Sequence, residues 1–598
     1  MFTCRPEIHG TFGAVASTHW IASAVGMSIL ERGGNAFDAA VAAGFALQVV
    51  EPHLNGPAGD MPALVWDARR RSLEVICGQG PAPSRATIAH YRGLGLDLVP
   101  GTGLLATVIP GATDGWLLML RDYGTLRLQE VIEPAIGYAM GGHPIVARAV
   151  ETIATVADHF RAHWPTSAAI YLPGGAVPKP RQLFRNVALA ECWQRMLNEA
   201  QAAGSGREAQ IEAARRCWQD GFIAAAIDRF SSTRDVMDSS GRSHRGVLRG
   251  DDLAGWRATV EKPATIAYRD WTVAKCGFWN QGPVLLQQLQ LLKGFNVAAM
   301  DPVGPDFVHA WVECAKLAYA DREAWYGDPI FVDVPAATLL SDAYAAERRS
   351  LVGTAASAQL RPGSPDGLKP RLPRHFDGAQ PVAHAVGAGE PTTRVFPDGR
   401  VAGDTCHVDV VDRWGNMVAA MPSGGWLESS PVIPELGFQL NSRAQMFWLE
   451  EGLPASLAPG KRPRSTLSPS MALRDGKAAL AWGSPGGDQQ DQWQALMFLR
   501  HVDHGLDLQE SIELPALHCE HWPNSFWPRQ AKPRRIVMER RFPAATIADL
   551  RRRGHDVEVG DDWSEGRLVA CAQTETPGGR VIKAAANPRG MQGYAVGR

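Results

Sequence analysis

A threonine hydroxyl is a weak nucleophile by itself, because it titrates far above neutral pH and needs a base beside it. In the stretch GDTCH, Gly403 to His407, a chain break in front of Thr405 would create that base. The freed α-amine, with an ordinary pKa of about 7.7–8.0, belongs to the same residue as the hydroxyl. One residue would then attack a carbonyl and take up the proton. The break itself needs the same chemistry: Thr405 Oγ attacks the carbonyl carbon of Asp404, the amide becomes an ester, and water hydrolyses it. A developing oxyanion calls for backbone donors, and GSPGGD, Gly483 to Asp488, offers bare glycine amides. A simpler reading stands beside this one: Asp404 and Thr405 end a loop by bonding nearby backbone, and the paired glycines make a turn.

The elements around these residues have to hold them. Residues 351–404 carry turn formers throughout and no sustained period, which predicts a loose connector. From His407 the pattern HVDVVD, RWGN, MVAAM predicts strand, turn, strand. PSMALRDGKAALAWGS predicts a second hairpin leading into the glycine pair, and QQDQWQALMFLRHVDHG a helix after it. Near the start, WIASAVGMSILER ends at Gly33-Gly34 and Asn35 caps AFDAAVAAGFALQVV, so two helices precede the turn EPHLNGPAGD. MPALVWDARRRSLEVICG reads as two strands joined by a basic turn. FVHAWVECAKLAYADREAWYGDP is a long amphipathic helix with a structural role, and VEKPATIAYRDWTVAKCGFW reads as strands. There is no internal repeat.

Composition excludes several classes. Lys+Arg 60 against Asp+Glu 62 leaves no global field for nucleic acid or an anionic membrane. No apolar run is long enough to span a bilayer, the first residues lack the features of a signal peptide, and a cytoplasmic location is the expectation. The nine cysteines never form C-x-x-C and read as free thiols. His407 and Asp409 share a strand face but have no third ligand, so no metal and no cofactor are expected.

The chain resembles the γ-glutamyltransferase family of N-terminal nucleophile hydrolases. The resemblance rests on GGNAFDAAVAAGFALQVVEPH, IPGATDGW, LAYADREAWYGDP, GDTCHVDVVDRWGN, PRSTLSPS, GSPGGD and NPRGMQGY, in family order over nearly the whole length. It implies an α+β fold, a four-layer αββα sandwich, made as a precursor and self-cleaved between Asp404 and Thr405. Residues 1–404 would form a large subunit and 405–598 a small one, the two fragments remaining one intertwined fold. The resemblance implies that Thr405 is the nucleophile and that Gly486 and Gly487 give the oxyanion amides. Ser423 stands where the family has a threonine bonded to the nucleophile's amine. Ser465 and Thr466 match a hydroxyl pair at the substrate's carboxylate end.

The family pattern also fails in places. CGQGPAP, Cys77 to Pro83, lacks the arginine that clamps a glutamyl carboxylate. Gly425 replaces an asparagine, and NSRAQM, Asn441 to Met446, lacks the acidic residue that holds a glutamyl ammonium. Unpaired buried charges are costly, so a glutamyl headgroup fits badly. Arg443 appears instead, with a donor fork suited to a carboxylate; the alternative is a solvated surface arginine. This arginine and HDVEVGDDWSEG resemble the branch that includes oxamate amidohydrolase. The resemblance therefore implies hydrolysis of a small or acyl amide bearing a carboxylate. Trp426 and Trp279 are candidates to line the acyl pocket, against ordinary core packing among 19 tryptophans. Two rivals remain: a true γ-glutamyl hydrolase or transpeptidase, and a binding homologue without catalysis. The expected partners are a small-molecule amide and the fragments of the chain itself, and a homodimer is left open.

Overall fold

A computed structural model describes residues 2–374 and 405–598. Asn35 opens its helix with a capping box: its side chain accepts from the amides of Phe37 and Asp38, while the Asp38 carboxylate accepts from the Asn35 amide. The helix that follows, Ala36–Val50, is built of small residues and is buried along its whole length. Smallness is required, since a Cβ on Gly44 would lie 2.4 Å from the Trp116 ring.

Two antiparallel sheets of seven strands form the centre. One runs in the order Tyr594–Gly597, Gly13–Ser17, Val408–Asp412, Met417–Ala420, Met61–Asp67, Ser72–Gly78, Thr259–Glu261. The other runs Ile8–Gly10, Gly579–Ala586, Val569–Thr576, Lys477–Gly483, Ser470–Arg474, Trp271–Lys275, Ala264–Tyr268. Alternation along the strands assigns the layers. Leu64, Trp66, Val411 and Ala419 of the first sheet meet Met471, Ala481, Val569 and Cys571 of the second in a core between the sheets. Val408, Val410 and Val418 face outward onto helices Trp20–Glu31 and Ala36–Val50, while Leu480, Trp482 and Ala570 face helices Pro283–Leu292, Pro305–Trp325 and Gln490–Val502. The result is helix, sheet, sheet, helix, the four-layer α+β sandwich expected.

Both sheets combine strands from before residue 375 with strands from after residue 404. Val408–Asp412, for example, lies between Gly13–Ser17 and the hairpin partner Met417–Ala420. The nine cysteines are all free, and only Cys4 is exposed.

The first part of the predicted connector, residues 351–374, is irregular but anchored. The Gly363 amide donates to the buried Asp321 carboxylate at 2.7 Å, and Arg361 pairs with Glu313 at 3.1 Å. Both carboxylates belong to the helix Pro305–Trp325, so tertiary bonds hold a segment that has no period of its own. The remainder of that connector and Asp404 lie outside the described residues.

Candidate active site

Thr405 lies just ahead of the central strand Val408–Asp412 and forms an antiparallel bridge with Ser423, at the end of the partner strand. Its hydroxyl donates to Ser423 Oγ at 3.3 Å and accepts from Gln490 Nε2 at 3.4 Å. All three residues are closed to solvent. The Ser423 hydroxyl also bonds the Leu54 carbonyl at 3.3 Å, which ties the pair to the turn after helix Ala36–Val50. That turn packs backbone on backbone: a Cβ on Gly59 would lie 2.1 Å from the Ser423 carbonyl, and one on Gly56 2.2 Å from the Gly425 carbonyl.

Cys406 points the other way. Its thiol donates to Glu51 at 3.0 Å, and the same carboxyl accepts from Thr18 at 2.6 Å and Gln592 at 2.7 Å. Burial raises the Glu51 pKa, and burial next to Glu51 pushes the Cys406 thiol well up. Cys406 is thus a neutral hydrogen-bond donor and not a second nucleophile. His407 Nε2 meets Asp409 at 2.8 Å in the layer between the sheets, and burial raises Asp409 to about 6.

The glycine pair follows the strand Lys477–Gly483. Gly486 has φ 128° and Gly487 φ 51°, so both lie where side chains are disfavoured. Asp488 anchors the turn by accepting from the Ser525 amide at 2.8 Å and hydroxyl at 2.6 Å, and from Arg322 Nη1 at 2.5 Å. Gln281 bonds the Gly487 carbonyl at 3.0 Å and Tyr319 the Asp488 carbonyl at 2.6 Å. Gln490 then carries the turn onto Thr405. A Cβ on Gly486 would lie 2.3 Å from the Trp493 ring. Gly486→Ala should therefore lower stability by about 2–4 kcal/mol. With these amides in the oxyanion role that the family resemblance implies, it should also cut turnover about 100-fold. Thermal unfolding and kcat check both, and wild-type values would mean the turn adapts without cost.

Arg443 opens a short 3-10 turn, Arg443–Met446, and is fully buried, which rules out the surface reading. Its Nε donates to Asp60 at 2.6 Å, and its guanidinium lies 4.9 Å from the centre of the Trp426 ring. Asp60 in turn exchanges backbone bonds with Ser423, so this ion pair is one residue step from the partner of Thr405. Burial raises Asp60 to about 6 against the pull of Arg443. Gly424 leaves space beside the pair: a Cβ there would stand 3.2 Å from Arg443 Nε. Gly425, at φ 62°, offers no side chain, and its carbonyl accepts from Gln439 at 2.6 Å. Ser465 pairs with Asn280 and its hydroxyl accepts from the Leu467 amide at 3.2 Å, while the buried Thr466 hydroxyl makes no hydrogen bond among the described residues. Trp426 lies against Arg443, whereas Trp279 packs between the sheets and donates to Glu261 at 2.8 Å.

Sequence reasoning missed Asp60, Gln490, Glu51, Asp488 and Arg322. Glu51 and Asp60 sit at the two ends of EPHLNGPAGD, between an apolar helix and an apolar strand, a place where an unpaired carboxylate is costly. For metal binding, His309, Glu313 and His555 are close enough together, but apart from His555 Nδ1 their donors are engaged. The imidazoles bond each other at 2.8 Å, and Lys316 and Arg361 hold Glu313. No helix among the described residues is long and apolar enough to cross a membrane.

Comparison with known proteins places the chain as a whole. The family described as Gamma-glutamyltranspeptidase matches residues 22–597. The solved structure of LmbA2991HD is 55% identical with a TM-score of 0.93, each chain covered in full. The oxamate amidohydrolase proenzyme of Klebsiella pneumoniae is 30% identical over 98% of both chains. The glutathione hydrolase-like YwrD proenzyme of Bacillus subtilis is 29% identical over 99% of both.

Proposed function

The chain belongs to the gamma-glutamyltranspeptidase family, and we propose that it is a self-processing amidohydrolase whose substrate carries a carboxylate on its acyl side. Two relatives over nearly the full length are proenzymes, which supports cleavage into a large and a small fragment. The observation that carries the reading is the Thr405 hydroxyl, held between Ser423 and Gln490 at the head of the central strand.

In the mature protein the Thr405 amine takes the proton from its own Oγ as that oxygen adds to the substrate carbonyl. The amides of Gly486 and Gly487 receive the negative charge, and collapse of the adduct returns the proton to the departing amine. Water, activated by the same α-amine, then hydrolyses the threonine ester. Arg443 binds the acyl carboxylate while Asp60 fixes the plane of its guanidinium. The test is a panel of amides offered to purified protein and read by released ammonia or amine. Carboxylate-bearing acyl amides should turn over at least tenfold faster than their neutral counterparts. A second reading, γ-glutamyl hydrolysis, draws on the glutathione hydrolase-like relative, and brisk turnover of a γ-glutamyl anilide would favour it.

The pH profile follows from Asp60. Its folded pKa of about 6 lies above the ordinary aspartate value, so its share of stability is present at low pH and is lost as the pH rises through about 6. The ionised pair is held against stability, in favour of orienting Arg443. Turnover should fall below pH 6 as Asp60 protonates and releases the guanidinium. Asp60→Asn should remove that acid limb, and an unchanged profile would assign it to another group.

A further inference from the structure

Arg529 is 2% exposed and forms no ion pair among the described residues, with two of its donors unused. Only Nη2 is engaged, donating to the carbonyls of Gln445 at 2.9 Å and Phe447 at 3.1 Å. Nε and Nη1 have no hydrogen-bond partner, and the guanidinium lies 4.2 Å from the centre of the Trp448 ring. Buried donors are normally satisfied, so two on one arginine call for an explanation.

The neighbouring charges do not supply one. Arg322, Arg464 and Arg529 share their surroundings with two carboxylates, Glu323 and Asp488. Arg322 pairs with both, at 2.8 and 2.5 Å, and Arg464 takes Glu323 at 2.8 Å. Arg464 Nε is also without a partner. Glu323 Oε2 makes no hydrogen bond either, and no ion pair joins it to Arg529. Three buried guanidiniums against two acids leave one positive charge uncompensated, and burial beside Arg464 pulls Arg529 below the ordinary arginine range.

The position of this charge gives it a use. The loop bearing Arg529 also bears Ser525, which binds Asp488 of the glycine turn. Arg529 itself grips the far end of the turn that begins with Arg443. Arg464 directly precedes Ser465. We propose that Arg529, backed by Arg464, is an anion subsite beside the glycine turn and the turn Arg443–Met446, and takes a second carboxylate of the substrate. The substrate is then an amide with two carboxylates, one at each end of Arg443–Met446. This rests on reading Thr405 and Arg443 as the reacting end and the acyl-carboxylate end.

Binding of simple acids tests it without relying on turnover. Malonate, succinate and glutarate are titrated by calorimetry against acetate, propionate and butyrate, at matched chloride, after the intact mass of the sample has been recorded. At least one diacid should bind tenfold or more tightly than its monoacid. Arg529→Gln should abolish that advantage, and Arg529→Lys should keep part of it. Equal binding of diacids and monoacids to the wild type overturns the proposal, as does an unchanged advantage in Arg529→Gln. Saturation by inorganic phosphate or chloride with no diacid preference also overturns it, in favour of a free-anion site. Should Arg529→Gln fail to fold, the wild-type ratio and Arg529→Lys still decide. A sample that stays one chain counts against the threonine reading, whereas the acid titration judges Arg529 separately.

Discussion

Thr405→Ala should yield a single unbroken chain with no measurable turnover, whereas the wild type should resolve into two fragments, the smaller beginning at Thr405. The substitution removes the attacking oxygen for both reactions, so processing and catalysis should vanish together, with turnover down by about 10⁴-fold or more. Stability should change little: the lost hydroxyl bonds to Ser423 and Gln490 are long, at 3.3 and 3.4 Å. Intact-mass measurement and N-terminal sequencing of the small fragment check the first part, and the amide panel the second. Thr405→Ser keeps both functional groups and should still cut itself. If the alanine variant processes normally, or if wild-type activity resides in the uncut chain, the mechanism is wrong.

Arg443→Met should be nearly as damaging, for a different reason. Removing one partner of a buried ion pair leaves the Asp60 carboxyl unsatisfied, so that it must take up a proton or stay charged without compensation, at a cost of up to about 3–5 kcal/mol. The acyl carboxylate loses its fork of donors at the same time, and kcat/KM should fall about 100-fold or more for charged amides. A double variant separates the two effects. Arg443→Met with Asp60→Asn removes both charges, so the melting temperature should largely recover while turnover of charged amides stays low. Recovery of both would make the pair purely structural. Full stability in the single variant would mean that Asp60 is satisfied without Arg443.

Much of this arrangement was legible in the sequence, because it is written locally. Alternation marks the hairpin Val408–Ala420 and the strand leading to Gly486, and Asn35 announces its helix by the residues around it. The Thr405–Ser423 pairing follows from one hairpin, whose geometry sets the register. What the sequence hides is pairing at long range. Asp60 and Arg443 are 383 residues apart, and Arg322 and Asp488 are 166 apart. Nothing in the period of either segment records that the partner exists. The anchoring of residues 351–374 stayed hidden for the same reason. A segment rich in proline and glycine looks loose until the buried acids that hold it, Asp321 and Glu313, are found on another element.

The interleaving of strands bears on what happens after a cut. Each sheet draws on both sides of residues 375–404, so neither piece holds a complete sheet. Once severed, the halves can separate only by melting together, and a melted pair must find each other again by diffusion. The precursor should therefore recover from denaturant at a rate independent of concentration, while the mature enzyme should recover more poorly the more it is diluted.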